Sequence, residues 1–132
     1  MSNVDMSTYK TLFLSSAHDF VENLRRNLKL LNKNPQNKTF SYEVFRCAHS
    51  LKGQSLAMGH KTTAALSFLL ESIFREIHEG RMSYPSSLYV TLTHTVDQLD
   101  SSLQSIQIND KEIDLTESIS LLNQALPMKH NS

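Results

Sequence analysis

From Tyr9 onward, apolar side chains return every third or fourth residue. Tyr9, Phe13, Ala17, Phe20, Leu24, Leu28 and Leu31 form one stripe on a helix predicted over residues 8–32. The run NKNPQNK, residues 32–38, then breaks the period with Pro35 and three asparagines, as a connection between antiparallel helices requires. A second helix is predicted over residues 41–58, burying Val44, Ala48, Leu51, Ser55 and Met58 and stopping at Gly59. A third, over residues 62–79, turns Leu66, Leu69, Leu70, Ile73 and Ile77 inward and stops at Gly80. Pro85 suits the first position of a fourth, over residues 85–106, with Leu88, Leu92, Thr95, Leu99, Leu103 and Ile106 on one face. Four stripes of this period joined by short loops are buried most simply in an antiparallel four-helix bundle, so the expected class is all-α. Handedness stays open. Asp114 and Glu117 are spaced as a capping box for a short fifth helix at the C-terminal end, carrying Leu115, Ile119, Leu122 and Leu126, and MKHNS is expected to fray.

Composition narrows the function. Three isolated glycines, Gly53, Gly59 and Gly80, leave no GxGxxG or GxxxxGK[ST] loop, so any ATP must be held by another molecule. Thirteen basic and thirteen acidic residues cancel without a like-charge run, which gives no footprint for nucleic acid or an anionic membrane. No apolar run is long enough to span a bilayer and no signal peptide is recognisable, so a soluble, cytoplasmic protein is expected. Cys47 is the only cysteine and reads as a small buried filler. His18, His60, His78, His94 and His130 make no HxxxH or HxxE pairing, so no metal and no cofactor is expected, and these histidines read as surface or flank residues. At 132 residues the chain suits one domain, with 1–108 as the bundle and 109–132 as its peripheral helix and tail.

The stretch FRCAHSLKGQSLAMGH sets a glycine inside a predicted helix, where it costs about 1 kcal/mol relative to alanine. At about 100° per residue, His49 falls about 150° from the centre of the buried stripe, and Gly53 falls nearly opposite it. Lys52 and Gly53, at i+3 and i+4 from His49, share its patch, with Phe45 and Leu56 as apolar neighbours. A histidine beside a cation, a bare backbone and exposed apolar groups suits docking of a large partner.

AHSLKG followed by AMG resembles the active-site helix of histidine phosphotransfer domains, those of the CheA type above all. YKTLFLSSAHDFVENL resembles that family's first helix, and EIHEGRMSYPSSLYVTLTHTVDQLDSSL its loop and fourth helix, so the likeness covers roughly the first 106 residues. The resemblance implies that His49 accepts a phosphoryl group and that Glu71, on the third helix, orients it. It implies that Lys52 offsets phosphoryl charge, and that Gly53, Phe45, Leu56, Phe68 and Gln54 serve partner binding. The implied partners are the ATP-binding domain of a histidine kinase and the receiver domain of a response regulator. The isolated domain would be monomeric, without catalysis of its own, and part of a CheA-like kinase; any Mg²⁺ would come with the partners. The chain departs from the family where a second histidine usually stands three residues before the glutamate: here it is Phe68, and Glu71 is accordingly expected to be held less firmly.

Blander readings stand beside these. Glu71 and Arg75 at i, i+4 suit a simple helix-surface pair, Lys52 a solvated lysine, and Gly53 a site of close helix packing. The rival function is a helical adaptor that has lost phosphotransfer and binds through Phe45, Leu56 and Phe68.

Overall fold

The computed structural model describes residues 3–126, with side chains from residue 6 onward; the MKHNS tail and His130 lie outside the described residues. The elements are α1 (Asn3–Lys33), α2 (Lys38–Ala57), α3 (Lys61–His78), a single 3-10 turn (Ser86–Leu88), α4 (Tyr89–Asn109) and α5 (Thr116–Gln124). Contacts run α1 to α2, α2 to α3, α3 to α4 and α4 back to α1, closing a four-helix ring, and α5 lies against α3 and α4. No helix among the described residues is long and apolar enough to cross a membrane.

The predicted stripes make the core. Ala17, Leu24, Leu31, Val44, Ala48, Leu51, Leu66, Leu70, Ile73, Leu92 and Leu99 are fully enclosed. At the edges the helix period alone misjudges depth. Tyr9 is exposed and Phe20 only half-buried, while Val21 and Phe74, outside the predicted stripes, are sealed in. The buried line of α1 runs Phe13, Ala17, Val21, Leu24, Leu28 and Leu31, placing its first step of three after Val21 and leaving Phe20 at the edge.

Helix ends follow local chemistry. α2 starts earlier than its apolar pattern because the Asn37 side chain caps it, accepting from the Phe40 amide at 3.0 Å. Gly59 and Gly80 take φ of +83° and +78° and end α2 and α3 in the same motif. Gly59 N donates to Leu56 O and His60 N to Ser55 O, at 3.0 and 2.8 Å; Gly80 and Arg81 repeat the pattern on Ile77 and Glu76. Pro85 does not open α4: its backbone is extended, and the α-helix begins at Tyr89 after the 3-10 turn. Nor do Asp114 and Glu117 form a capping box. Leu115 holds the cap position without a side-chain bond, and Asp114 accepts instead from the Thr116 amide at 2.9 Å.

The α3 N-terminus is capped from far along the chain. His60 contributes no side-chain cap, and Glu112, between α4 and α5, accepts from the Thr63 and Thr62 amides at 2.5 and 3.4 Å. Burial pushes the Glu112 carboxyl up, but the hydrogen bonds from Thr63 and Thr62 outweigh it and hold the group below the ordinary glutamate value of 4.5. A folded-state pKa below the unfolded one gives stability that is present above that value and is lost as pH falls through the folded pKa. Glu112→Ala is therefore expected to lower unfolding stability by about 1 kcal/mol near neutral pH, and the gap to the native protein should narrow in acid, as pH falls through the folded pKa. Urea unfolding near neutral pH and in acid measures it.

Candidate functional site

α2 and α3 meet along a face that carries the charged and aromatic residues singled out in the sequence. His49 projects from α2 with its side chain 60% exposed, and its Nδ1 lies 2.9 Å from Glu71 Oε2 on α3. Glu71 itself is fully enclosed. A buried carboxylate needs compensation, and three groups supply it. Lys52 Nζ stands 2.8 Å from Oε1, and Arg75 donates to Oε2 at 2.8 Å, the same oxygen that faces His49. Burial pushes the Glu71 carboxyl up; hydrogen bonding to Lys52 and His49 outweighs this and holds it below the ordinary carboxylate range.

This fixes the roles of the ring atoms. An ionised carboxylate only accepts, so Nδ1 must donate, and in the neutral imidazole Nε2 then carries the lone pair. One carboxylate faces two cations, Lys52 and Arg75, so the cluster carries net charge +1 before the imidazole is counted. An anionic group arriving at Nε2 would meet a favourable field.

Phe68 brings no polar head to Glu71, which was expected to be held less firmly without one; Lys52 and Arg75 nevertheless each pair with one of its carboxylate oxygens. The i, i+4 pair of Glu71 and Arg75 is present and is also part of the His49 cluster, so the bland pairing and the site coincide. Lys52 is only 23% exposed and is turned toward Glu71, so it is not a freely solvated lysine.

Aromatic groups wall the site. Phe45 stacks against the His49 ring at 6.4 Å and against His78 at 6.1 Å, and the Arg75 guanidinium lies 5.4 Å from its centroid. Tyr42 flanks the same His78 ring at 5.1 Å. Lys52 Nζ lies 5.4 Å from the Phe68 ring, which is about half exposed, as is Leu56. His78 is thus more than a flank residue, and His60 stacks on Phe13 at 5.6 Å. Sequence reasoning missed the Tyr42 and His78 contributions. Their register was available: Tyr42, Phe45 and His49 share one α2 face, and Glu71, Arg75 and His78 one α3 face. Gln54 lies apart, on the α1 side of α2, with Oε1 buried and lacking a hydrogen-bond partner among the described residues. It lines a groove of about 440 Å³ with Tyr9, Leu12, Phe13, Ser16, Ala57 and Met58. Among the described residues no cluster of three or more metal-ligating side chains forms.

Gly53 is not there for close packing, since a Cβ built on it meets nothing within 4 Å. Gly53→Ala should therefore fold normally and gain up to about 1 kcal/mol in helix propensity. Gly53→Arg should fold equally well but carry a long cation beside His49, in the path of any visiting protein. Thermal unfolding of both variants, with binding of a partner protein measured in parallel, separates the effects; normal binding by Gly53→Arg would refute an access role.

The sequence matches the Hpt domain family model over residues 8–102. The chemotaxis protein CheA of Bacillus subtilis (strain 168) is 33% identical over 103 residues, which are 78% of this chain and 15% of that protein. CheA of Halobacterium salinarum (strain ATCC 29341 / DSM 671 / R1) is 28% identical over 122 residues, 92% of this chain and 18% of that protein. The chain thus spans less than a fifth of the length of these curated relatives. Among solved structures, the solution structure of the histidine phosphotransfer domain of CheA superposes with a TM-score of 0.80 at 24% identity, over 89% of this chain and 91% of that one. The phosphorylated P1 domain of CheA3, in its crystal complex with CheY6 from R. sphaeroides, gives 0.79 at 17% identity, again over 89% and 91%. At these identities the two structural likenesses speak to the fold.

Proposed function

The chain belongs to the Hpt domain family, and from that membership we propose that His49 is its phosphoryl acceptor, charged by a histidine kinase and discharged to a response regulator. The observation that carries this reading is the exposed imidazole whose Nδ1 is tied to a buried, ionised carboxylate. Nε2, the free nitrogen, attacks the γ-phosphorus of an ATP held by the kinase domain. The N–P bond forms as the bond to the β-γ bridging oxygen breaks, and ADP leaves with that electron pair. Nε2 has no proton to shed, so the ring becomes a phosphoimidazolium whose charge Glu71 faces. Lys52 spends one contact on Glu71 and keeps two N–H groups for equatorial phosphoryl oxygens. In the return step an aspartate carboxylate of the receiver attacks phosphorus and the N–P electron pair goes back to Nε2.

Gly53, Phe45, Leu56 and Phe68 are assigned to partner contact around His49, Gln54 only to an outlying contact on the groove toward α1, and residues 1–108 with the 109–132 segment to one domain. The likeness to CheA supports a phosphoacceptor module of the CheA type, and we assign it to the cytoplasm. The relative CheA3, phosphorylated and bound to CheY6, supports a receiver-domain partner.

The test is incubation with labelled ATP and a CheA-type kinase core, followed by addition of a receiver domain. Acid-labile, base-stable label on the protein, drained by the receiver, is the expected result. No label from any kinase tried would favour the adaptor, in which Phe45, Leu56 and Phe68 only bind.

A further inference from the structure

We propose that Arg75 is a positioning residue for the acceptor, pinning the Glu71 carboxylate so that its Oε2 stays on His49 Nδ1. The inference rests on His49 being the acceptor. Arg75 and His49 share a single oxygen, at 2.8 and 2.9 Å, while the Lys52 ammonium holds the other at 2.8 Å. A glutamate carboxylate turns readily about its last torsion, and the cation on Oε1 would draw either oxygen. With both cations in place, turning the carboxylate must part Lys52, Arg75 and His49 together.

Arg75 is itself braced. Its guanidinium rests on Phe45, and the His78 ring stacks on that same ring, 13° from parallel. His49 stacks on the same Phe45. The guanidinium and the imidazole therefore share one aromatic wall and one carboxylate oxygen, so displacing Arg75 loosens the orientation of the acceptor ring. Arg75 is 46% exposed and lies four residues after Glu71 on one helix, so removing it should leave the bundle folded.

The closing experiment has two arms. In the first, ¹⁵N NMR of the unphosphorylated domain, at a pH where the ring is neutral, reads the His49 tautomer. The native protein should be overwhelmingly Nδ1–H, Arg75→Met should show a substantial Nε2–H population, and Arg75→Lys should fall between them. In the second, single-turnover phosphorylation at saturating kinase should slow about tenfold in Arg75→Met, the size of one lost charge-assisted hydrogen bond, with the kinase concentration for half-maximal rate unchanged. The same substitution made on Glu71→Ala should slow nothing further, because Arg75 acts through that carboxylate. An unaltered tautomer in Arg75→Met overturns the proposal, and so does an undiminished tenfold loss on the Glu71→Ala background, which would put Arg75 in direct contact with kinase or phosphoryl group. A native domain that no kinase labels defeats the acceptor reading instead, while the NMR arm still decides whether Arg75 controls the ring.

Discussion

His49→Gln is expected to take up no acid-labile label from kinase and ATP, a loss of roughly a thousandfold or more, bounded only by detection. The amide of glutamine has no lone pair that competes as a nucleophile at phosphorus, yet it offers an N–H that can reach Glu71 Oε2 in place of Nδ1. The buried carboxylate then keeps a partner on that side, along with Lys52 and Arg75. Since the native imidazole is 60% exposed, its replacement removes little packing, and stability should change by less than about 1 kcal/mol. Loss of label with an unchanged melting profile isolates chemistry from folding. Label that persists would move the acceptor elsewhere. His78 would be the first alternative to examine, because it lies on the same aromatic wall.

The second large effect is Glu71→Ala, expected to slow phosphorylation about a hundredfold without unfolding the domain. Nδ1 loses its acceptor, so Nε2–H becomes an accessible tautomer, and the positive charge that develops on the phosphorylated ring loses its counter-charge. Removing one partner of a buried ion pair costs about 3–5 kcal/mol when the other is left buried. Here the orphaned cations are not trapped: Arg75 is 46% exposed and Lys52 23%, so both can turn to water, and a loss nearer about 1–2 kcal/mol follows. Rapid-quench single turnovers at saturating kinase give the rate, and thermal unfolding gives the stability. An unchanged rate would reduce Glu71 to a counter-ion for its two cations.

Much of this was legible in the letters. Leu24, Leu51, Leu70 and Leu99 lie where the helix period points them, and the two glycine stops end α2 and α3 through positive φ. What escaped the sequence is what depends on how one helix is rotated against the next. Phe74 is as apolar as its neighbours, and only the packed bundle shows it sealed in. The burial of Glu71 was illegible for the same reason: a carboxylate on a helix reads as solvated until the lysine from α2 and the arginine from its own helix are seen to close over it. Glu112 capping α3 across 49 residues has no local signal at all. Phe68 draws attention to a missing polar group, while the contact from Arg75 on the same helix reads in the letters only as surface decoration.

The rigid joint between α2 and α3 has a further consequence. Gly59 and His60 lock the two helices into one register through the paired bonds to Leu56 and Ser55, and Glu71 reaches His49 only because that register is kept. One residue inserted into α3 ahead of Glu71 would swing every later side chain by about 100°, carrying the carboxylate off the α2 face altogether. Substitutions across this span can be absorbed singly, but its length cannot drift, so among evolving copies of this gene, insertions and deletions should accumulate in the connections before α2 and after α3 and be purged between the imidazole and its carboxylate.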